Sequence, residues 1–198
     1  MEIVRINEKH FAMRREFRIP KMEEIQERDR KLLYALEKSL GFVPNVYAFM
    51  TRSETALNRF LQFTDVPTVF NRIQAEAIHL VTSQVNQNPY CLAVHTALAK
   101  DAGLTDEQII AIRKGNVTWD KKLDTLVDFT CELVTNRGKI SPEMTARFYG
   151  DGYTDTCLVD LIMLVGMTTV ANYITNTTRI PVDFPEVPVI VCNCDCKR

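Results

Sequence analysis

The chain has 198 residues, of which 46% are apolar and 25% are charged, and its formal net charge is −1. This length and composition are typical of one soluble globular domain with a substantial core. The charge balance gives no electrostatic footprint for nucleic acid or an anionic membrane surface, so we expect neither as a partner. A small molecule or another protein is the expected partner.

The first twenty residues carry scattered charges without a continuous apolar run, and we do not expect a signal peptide. The most apolar stretch, residues 157–174, contains Asp160, Thr168, Thr169 and Asn172, which favours a buried helix over a membrane span. Six cysteines in a chain of this size do not indicate a small disulfide scaffold. We therefore predict a cytoplasmic protein.

Apolar residues recur at helical spacing along most of the chain, and strand patterns are nearly absent. Capping signals and glycines predict a first helix over 22–40, a short helix that runs through Met50, and a helix from Ser53 towards Phe63. Further helices are predicted over 71–86, 88–102, 105–115 and 119–136, from 141 onward, and over 154–176. The prediction is an all-α compact bundle of seven to eight helices, forming a single domain over 1–180. Residues 181–198, with three prolines, are predicted to form an extended cysteine-rich tail that docks on the bundle or on a neighbouring subunit.

The segment from Glu76 to His95 carries the strongest chemical signal. Asn88-Pro89 is typical of a helix start, since Asn is a favoured N-cap and Pro suits the first helical position. Cys91 then falls in the first turn, where unpaired amides and the helix dipole favour a thiolate. His95 lies four residues later on the same face. If the two helices pack antiparallel, Glu76 can orient this imidazole, giving a nucleophile, a base and an orienting carboxylate.

Each of these residues also has a structural interpretation: a small core cysteine, a histidine in a local hydrogen bond, or a solvated glutamate. Their conjunction among apolar neighbours, where an isolated charge is costly, favours a site. Glu76 and His79 have the Glu-x-x-His spacing of di-iron carboxylate bundles, but the chain has no second such pair. We therefore expect no metal and no cofactor, with His79 either behind the reacting groups or at the surface and Tyr90 behind them.

Residues 76–86, 88–100 and 102–108 together resemble the alkylhydroperoxidase D and carboxymuconolactone decarboxylase family. The family pattern is a glutamate, a Cys-x-x-Cys motif twelve residues later, and a histidine four residues beyond the second cysteine; Glu76, Cys91 and His95 fit this spacing. The turn at residues 41–45 resembles the longer, peroxidase-related branch, so the resemblance covers most of residues 30–180. It implies an all-α homo-oligomer that reduces hydroperoxides, with Cys91 as the peroxidatic thiolate and His95 and Glu76 as a proton relay, directly or through a water.

Asn88 stands where the family has its first, resolving cysteine. A thiolate oxidised by peroxide becomes a sulfenic acid, which needs a second thiol for its reduction. Three outcomes follow: a one-Cys peroxidase repaired by an external thiol, repair by a tail cysteine, or loss of peroxidase activity. The candidate resolving thiols in the tail are Cys192, Cys194 and Cys196, whose alternate spacing suits a single tetrahedral metal site poorly.

The leading hypothesis is thus a thiol-dependent antioxidant oxidoreductase that uses a small hydroperoxide and a thiol reductant or redox protein. A second hypothesis is a decarboxylase- or isomerase-like enzyme, with Glu76 and His95 as acid and base on a small lactone or organic acid. A third is a non-catalytic oligomeric binding protein that retains a vestigial site.

Overall fold

The computed structural model describes residues 16–65 and 67–190, and within these ranges every regular element is helical. The tail cysteines Cys192, Cys194 and Cys196 lie outside the described residues. After a 3₁₀ turn (Met22–Glu24), this part of the chain forms α1 (Glu27–Leu40), α2 (Asn45–Met50), α3 (Ala56–Thr64), α4 (Arg72–Val85), α5 (Pro89–Asp101), α6 (Asp106–Lys114), α7 (Lys121–Thr135), α8 (Pro142–Gly150) and α9 (Asp155–Thr178). The predicted all-α bundle is confirmed, with one helix more than expected.

Most predicted helix boundaries agree with the structure because they depend on local capping. Asn71, Asn88 and Thr105 each accept a backbone N–H as the N-cap of the following helix. Two starts differ from the prediction. The first helix begins at Glu27, because Ile25 is extended after the 3₁₀ turn, and α3 begins only at Ala56, because the residues before it form a turn.

Helix α4 is the centre of the bundle and packs against α5, α6, α7 and α9. All residues from Glu76 to Gln84 are buried, so this helix has no solvent-facing side over more than two turns. A helix surrounded in this way is usually apolar throughout. Here it carries five buried polar side chains, namely Glu76, His79, Thr82, Ser83 and Gln84.

Helix α9 has its polar side chains inside and many of its apolar ones outside. Its buried residues are Leu161, Leu164, Thr168, Asn172 and Thr175. Its exposed large apolar residues are Val159, Ile162, Met163, Val170 and Tyr173. Among the described residues it is also the one helix that is long and apolar enough to cross a membrane. Only 17% of its most apolar 18-residue stretch is buried. The expectation of a buried helix is therefore right for one face only, because the polar residues turn inward towards α4 and α5.

The described part of the tail, residues 181–190, has no regular structure and docks on its own chain. Asp183 accepts hydrogen bonds from the backbone N–H of Asn45 (2.6 Å) and from the hydroxyl of Tyr90 (2.6 Å). Phe184 packs edge-on against Phe42, with ring centroids 5.1 Å apart. The turn at residues 41–45 thus holds the beginning of the tail on its own chain.

Replacing Asp183 by Ala is expected to destabilise the fold by about 1–3 kcal/mol, since it leaves the Tyr90 hydroxyl and the Asn45 N–H without their acceptor. Urea denaturation followed by circular dichroism measures the change. Glu186→Ala, which removes an exposed carboxylate from the same tail, is the control and should unfold like the wild type. Equal stability of the two variants would show that the tail does not depend on this anchor.

Candidate active site

Cys91 lies at the third position of α5, as the sequence predicts. Asn88 is the N-cap, Pro89 occupies the first turn, and the side-chain oxygen of Asn88 accepts the backbone N–H of Cys91 at 2.7 Å. The preceding Gln87 adopts a positive φ of 50°, which turns the chain sharply between α4 and α5. This elbow fixes the Cys91 backbone at the end of the central helix.

The Cys91 thiol is in a closed environment. Cys91 is 4% exposed and belongs to an apolar cluster that includes Leu33, Met50 and Ile180. Burial raises the pKa of the Cys91 thiol to about 11, and hydrogen bonds from Asn172 and Thr175 only partly oppose this effect. Burial thus acts against the effect of the helix start, on which the expectation of a thiolate rested.

Glu76 and His95 are brought together by the packing of α4 against α5. The Oε2 atom of Glu76 lies 2.9 Å from Nδ1 of His95, and both side chains are largely buried. A carboxylate can only accept, so Nδ1 of His95 donates in this hydrogen bond and Nε2 is left for other partners. The pair thus has an oriented base whose free nitrogen can take or return a proton.

His79 forms a second imidazole directly against the first. The rings of His79 and His95 are stacked, with centroids 4.3 Å apart and planes inclined by 22°. The hydroxyl of Thr168 donates to the carbonyl of Leu164 at 2.7 Å, so it accepts from Nδ1 of His79, which lies 2.7 Å away. Burial lowers the pKa of His79 well below its usual range, and the nearby charge of His95 acts in the same direction. His79 is therefore a neutral support for the His95 ring and not a surface group.

Asn88 is more than a helix cap. It is fully buried, and its amide nitrogen lies 2.7 Å from the hydroxyl of Thr175, 2.7 Å from the side-chain oxygen of Asn176 and 3.0 Å from the carbonyl of Asn172. Asn172 also contacts α4 and the elbow, through Ser83 and Asn86. The residue that replaces the first motif cysteine thus joins the start of α5 to α9 by hydrogen bonds that a thiol cannot reproduce.

The α9 residues Thr168, Asn172 and Thr175 were missed as parts of the site by sequence reasoning. Thr168 contacts His79, whereas Asn172 and Thr175 each contact both Asn88 and Cys91. The signal that could have found them is their spacing of three to four residues, which places all three polar groups on one face of an otherwise apolar helix.

Tyr90 lies beside Cys91 in sequence but directs its hydroxyl to the tail. It donates to Asp183 and accepts the N–H of Val46 at 3.2 Å. Burial, followed by the bond to Asp183, raises the pKa of Tyr90, so it is a neutral structural group. No described contact joins it to His95.

A cavity of about 510 Å³ lies beside the elbow, between the start of α5 and the end of α9. Its lining includes Asn88, Tyr90, Thr175, Asn176 and Arg179. Asn88 and Thr175, which both contact Cys91, are shared between this cavity and the surroundings of that residue, but Cys91 itself does not line the cavity. The described residues include no group of three or more His, Cys, Asp or Glu side chains that could hold a metal ion.

The model of the carboxymuconolactone decarboxylase family matches residues 47–121, which include Glu76, Asn88, Cys91 and His95. No curated protein matches the sequence.

Several solved structures share the fold at low sequence identity. An alkylhydroperoxidase D core, peroxidase-related protein from Ralstonia eutropha JMP134 is 17% identical with a TM-score of 0.74, covering 81% of this chain and 88% of that one. A peroxidase-related protein from Silicibacter sp. TM1040 is 17% identical with a TM-score of 0.72, covering 83% and 88%. A cysteine-to-alanine variant of the debrominase Bmp8, in complex with 2,3,4-tribromopyrrole, is 13% identical with a TM-score of 0.66, covering 80% and 89%. Residues 47–121 therefore match the carboxymuconolactone decarboxylase family, and the chain has the alkylhydroperoxidase D-like fold.

Proposed function

We propose that the protein is a thiol-dependent oxidoreductase that reduces hydroperoxides through Cys91. The observation that carries this proposal is the position of Cys91 one turn before His95, whose ring is held by Glu76 at 2.9 Å. In the reaction, the Cys91 thiolate attacks one peroxide oxygen and the O–O bond breaks. The products are a cysteine sulfenic acid and, after protonation, an alcohol.

The proton relay is needed because Cys91 rests as a thiol. With a pKa of about 11, the group is almost entirely protonated at pH 7. His95 takes the thiol proton on Nε2, through a water, and returns it to the departing alkoxide, while Glu76 stabilises the transient imidazolium. His79, neutral and stacked on the ring, keeps the imidazole in place without adding a charge of its own.

The replacement of the resolving cysteine by Asn88 favours a one-Cys cycle. A thiol reductant attacks the sulfenic sulfur, releasing water and forming a mixed disulfide. A second reductant thiol then breaks that disulfide and restores Cys91. We assign the approach of the external thiol to the cavity of about 510 Å³ that Asn88 and Thr175 line.

A second candidate function is acid–base catalysis on a small lactone or organic acid. It is favoured by the pairing of His95 with Glu76, which is complete without the sulfur, and by the raised pKa of Cys91. Because the structurally similar debrominase binds a tribrominated pyrrole, brominated pyrroles also belong in a substrate panel for this chain.

We further propose that α9 mediates homo-oligomerisation. Its outer face presents five large apolar residues, Val159, Ile162, Met163, Val170 and Tyr173, each between 45% and 63% exposed. Contiguous apolar exposure of this kind is typical of a protein interface. The spacing of these residues along one helix face suits a second copy of the same helix.

The first test compares peroxide consumption at pH 7 and pH 10, with dithiothreitol as reductant. Cys91→Ser should abolish turnover. His95→Gln should lose roughly 10²-fold of the turnover rate at pH 7 but much less at pH 10, because hydroxide can then deprotonate the thiol without His95. Cys157→Ser, which removes a half-buried thiol on α9, is the control. If Cys91→Ser turns over a lactone while His95→Gln does not, the acid–base function is the correct one.

The second test restores the motif with Asn88→Cys. Peroxide treatment should then produce an intramolecular disulfide between the new thiol and Cys91, seen as a loss of two mass units in the 88–91 peptide. The variant should also be about 1–3 kcal/mol less stable, because the buried amide contacts with α9 are lost. Asn88→Ser retains a helix cap without a thiol and separates the two effects. Absence of the disulfide at full oxidation of Cys91 would contradict the assigned geometry.

The third test concerns the α9 face. Ile162→Glu places a charge in the proposed interface and should reduce the molar mass measured by light scattering to that of the monomer. Val189→Glu, at a tail residue that is 97% exposed, is the matched control and should keep the wild-type mass. A wild-type protein that is already monomeric at micromolar concentration would overturn the oligomer proposal.

A further inference from the structure

Arg113, in the last turn of α6, is a buried cation without a described anionic partner. Its residue is only 2% exposed. Its Nε donates to the side-chain oxygen of Gln84 at 2.9 Å, and Nη2 donates to the carbonyl of Pro188 at 2.9 Å. Both acceptors are neutral, and no carboxylate among the described residues contacts the guanidinium.

Such an arrangement is energetically unusual. A buried charge is normally paired, because desolvation costs several kcal/mol and neutral hydrogen bonds recover only part of this. The negative end of the α6 dipole favours a cation at this position, but it amounts to only about half an elementary charge. A guanidinium has five N–H donors, and the described contacts use two of them.

The same residue lines a cavity of about 410 Å³ between α4, α5, α6 and the tail. Apart from Arg113, Gln84 and Gln87, its walls are apolar, formed largely by Val85, Leu92, Val187 and Ile190. Leu92 lines this space, whereas Cys91, one residue earlier on α5, packs into the separate apolar cluster with Leu33 and Met50. The cavity is therefore distinct from the surroundings of the thiol.

We propose that this cavity binds a small apolar monocarboxylate, with its carboxylate paired to Arg113 and its apolar body against Leu92 and Val187. A planar carboxylate matches the guanidinium fork in a two-point contact. A single cation in an apolar cavity suits a monoanion, since a phosphate dianion would need a second positive group. The proposal does not depend on the redox chemistry of Cys91.

The tail is the cover of this site. The carbonyl of Ile190 accepts from the side-chain nitrogen of Gln84 at 2.9 Å, and Gln84 in turn accepts from Arg113. Gln84 thus couples the guanidinium to the covering segment 187–190. The other role open to Arg113 is to anchor the tail through Pro188 alone, and the two roles give different results with a ligand.

The test measures binding of benzoate and of benzamide, its uncharged counterpart, to the full-length protein by isothermal titration calorimetry. Benzoate should bind the wild type at least about tenfold more tightly than benzamide does, since a charged hydrogen-bonded pair commonly contributes that much. Arg113→Met should remove this preference, and Lys114→Met, at the exposed neighbouring cation, should retain it. Cys91→Ser should bind like the wild type, which separates this site from the proposed peroxidase function.

A second variant guards against misfolding of Arg113→Met. Gln84→Glu places a carboxylate at the position that already accepts from Arg113, so it neutralises the guanidinium internally and should abolish benzoate binding in a folded protein. Equal affinity for benzoate and benzamide in the wild type, or wild-type benzoate affinity in both variants, would overturn the proposal. Increased proteolysis of the tail in Arg113→Met, without any benzoate preference in the wild type, would assign Arg113 to tail anchoring instead.

Discussion

The burial of α4 on all sides is the constraint on which the rest of the structure depends. A polar side chain between Glu76 and Gln84 on this helix has almost no access to water, so each must find a partner within the protein. Those partners define the functional regions of the molecule: Glu76 bonds His95, His79 bonds Thr168, Thr82 bonds the carbonyl of Ile78, Ser83 bonds Asn172, and Gln84 bonds both Arg113 and the carbonyl of Ile190. The imidazole pair, the polar stripe of α9 and the attachment of the tail are thus consequences of one buried helix.

The same burial sets the chemical state of Cys91. The helix start, with its amide donors, and the hydrogen bonds from Asn172 and Thr175 all stabilise a thiolate. They do not offset the loss of solvation at a residue that is 4% exposed, and the pKa of the thiol remains near 11. A nucleophile in this state is protected from indiscriminate oxidation and alkylation, because the reactive form appears only when a base removes the proton. In the proposed reaction, the reactivity of Cys91 therefore depends on His95 rather than on the sulfur alone.

The sequence predicts a feature well when the residues that produce it lie close together in the chain. The caps at Asn71, Asn88 and Thr105, and the placement of Cys91 and His95 on one face of α5, depend on residues within one or two turns. By contrast, the burial of His79 and Arg113 depends on how the helices pack around α4 and α6. The inward polar stripe of α9 depends on the same packing. A hydrophobic period does not distinguish a helix that is covered on one side from one that is covered on all sides. The path of the tail was equally out of reach, since it is fixed by Asp183 meeting Asn45 and Tyr90, 138 and 93 residues earlier in the chain.

At position 88, the hydrogen bonds of an amide take the place of a thiol. The amide of Asn88 holds the elbow between α4 and α5 to α9 through Asn172, Thr175 and Asn176, and its oxygen caps the helix that bears Cys91. A cysteine at this position could accept the cap only weakly and could not donate to several acceptors at once. The amide therefore stabilises the backbone geometry of Cys91 at a position where, under the proposed function, a cysteine would resolve the oxidised thiol. In the proposed redox cycle this exchange moves the second half of the reaction outside the motif, to a reductant that reaches the sulfur past Thr175 and Asn88 itself.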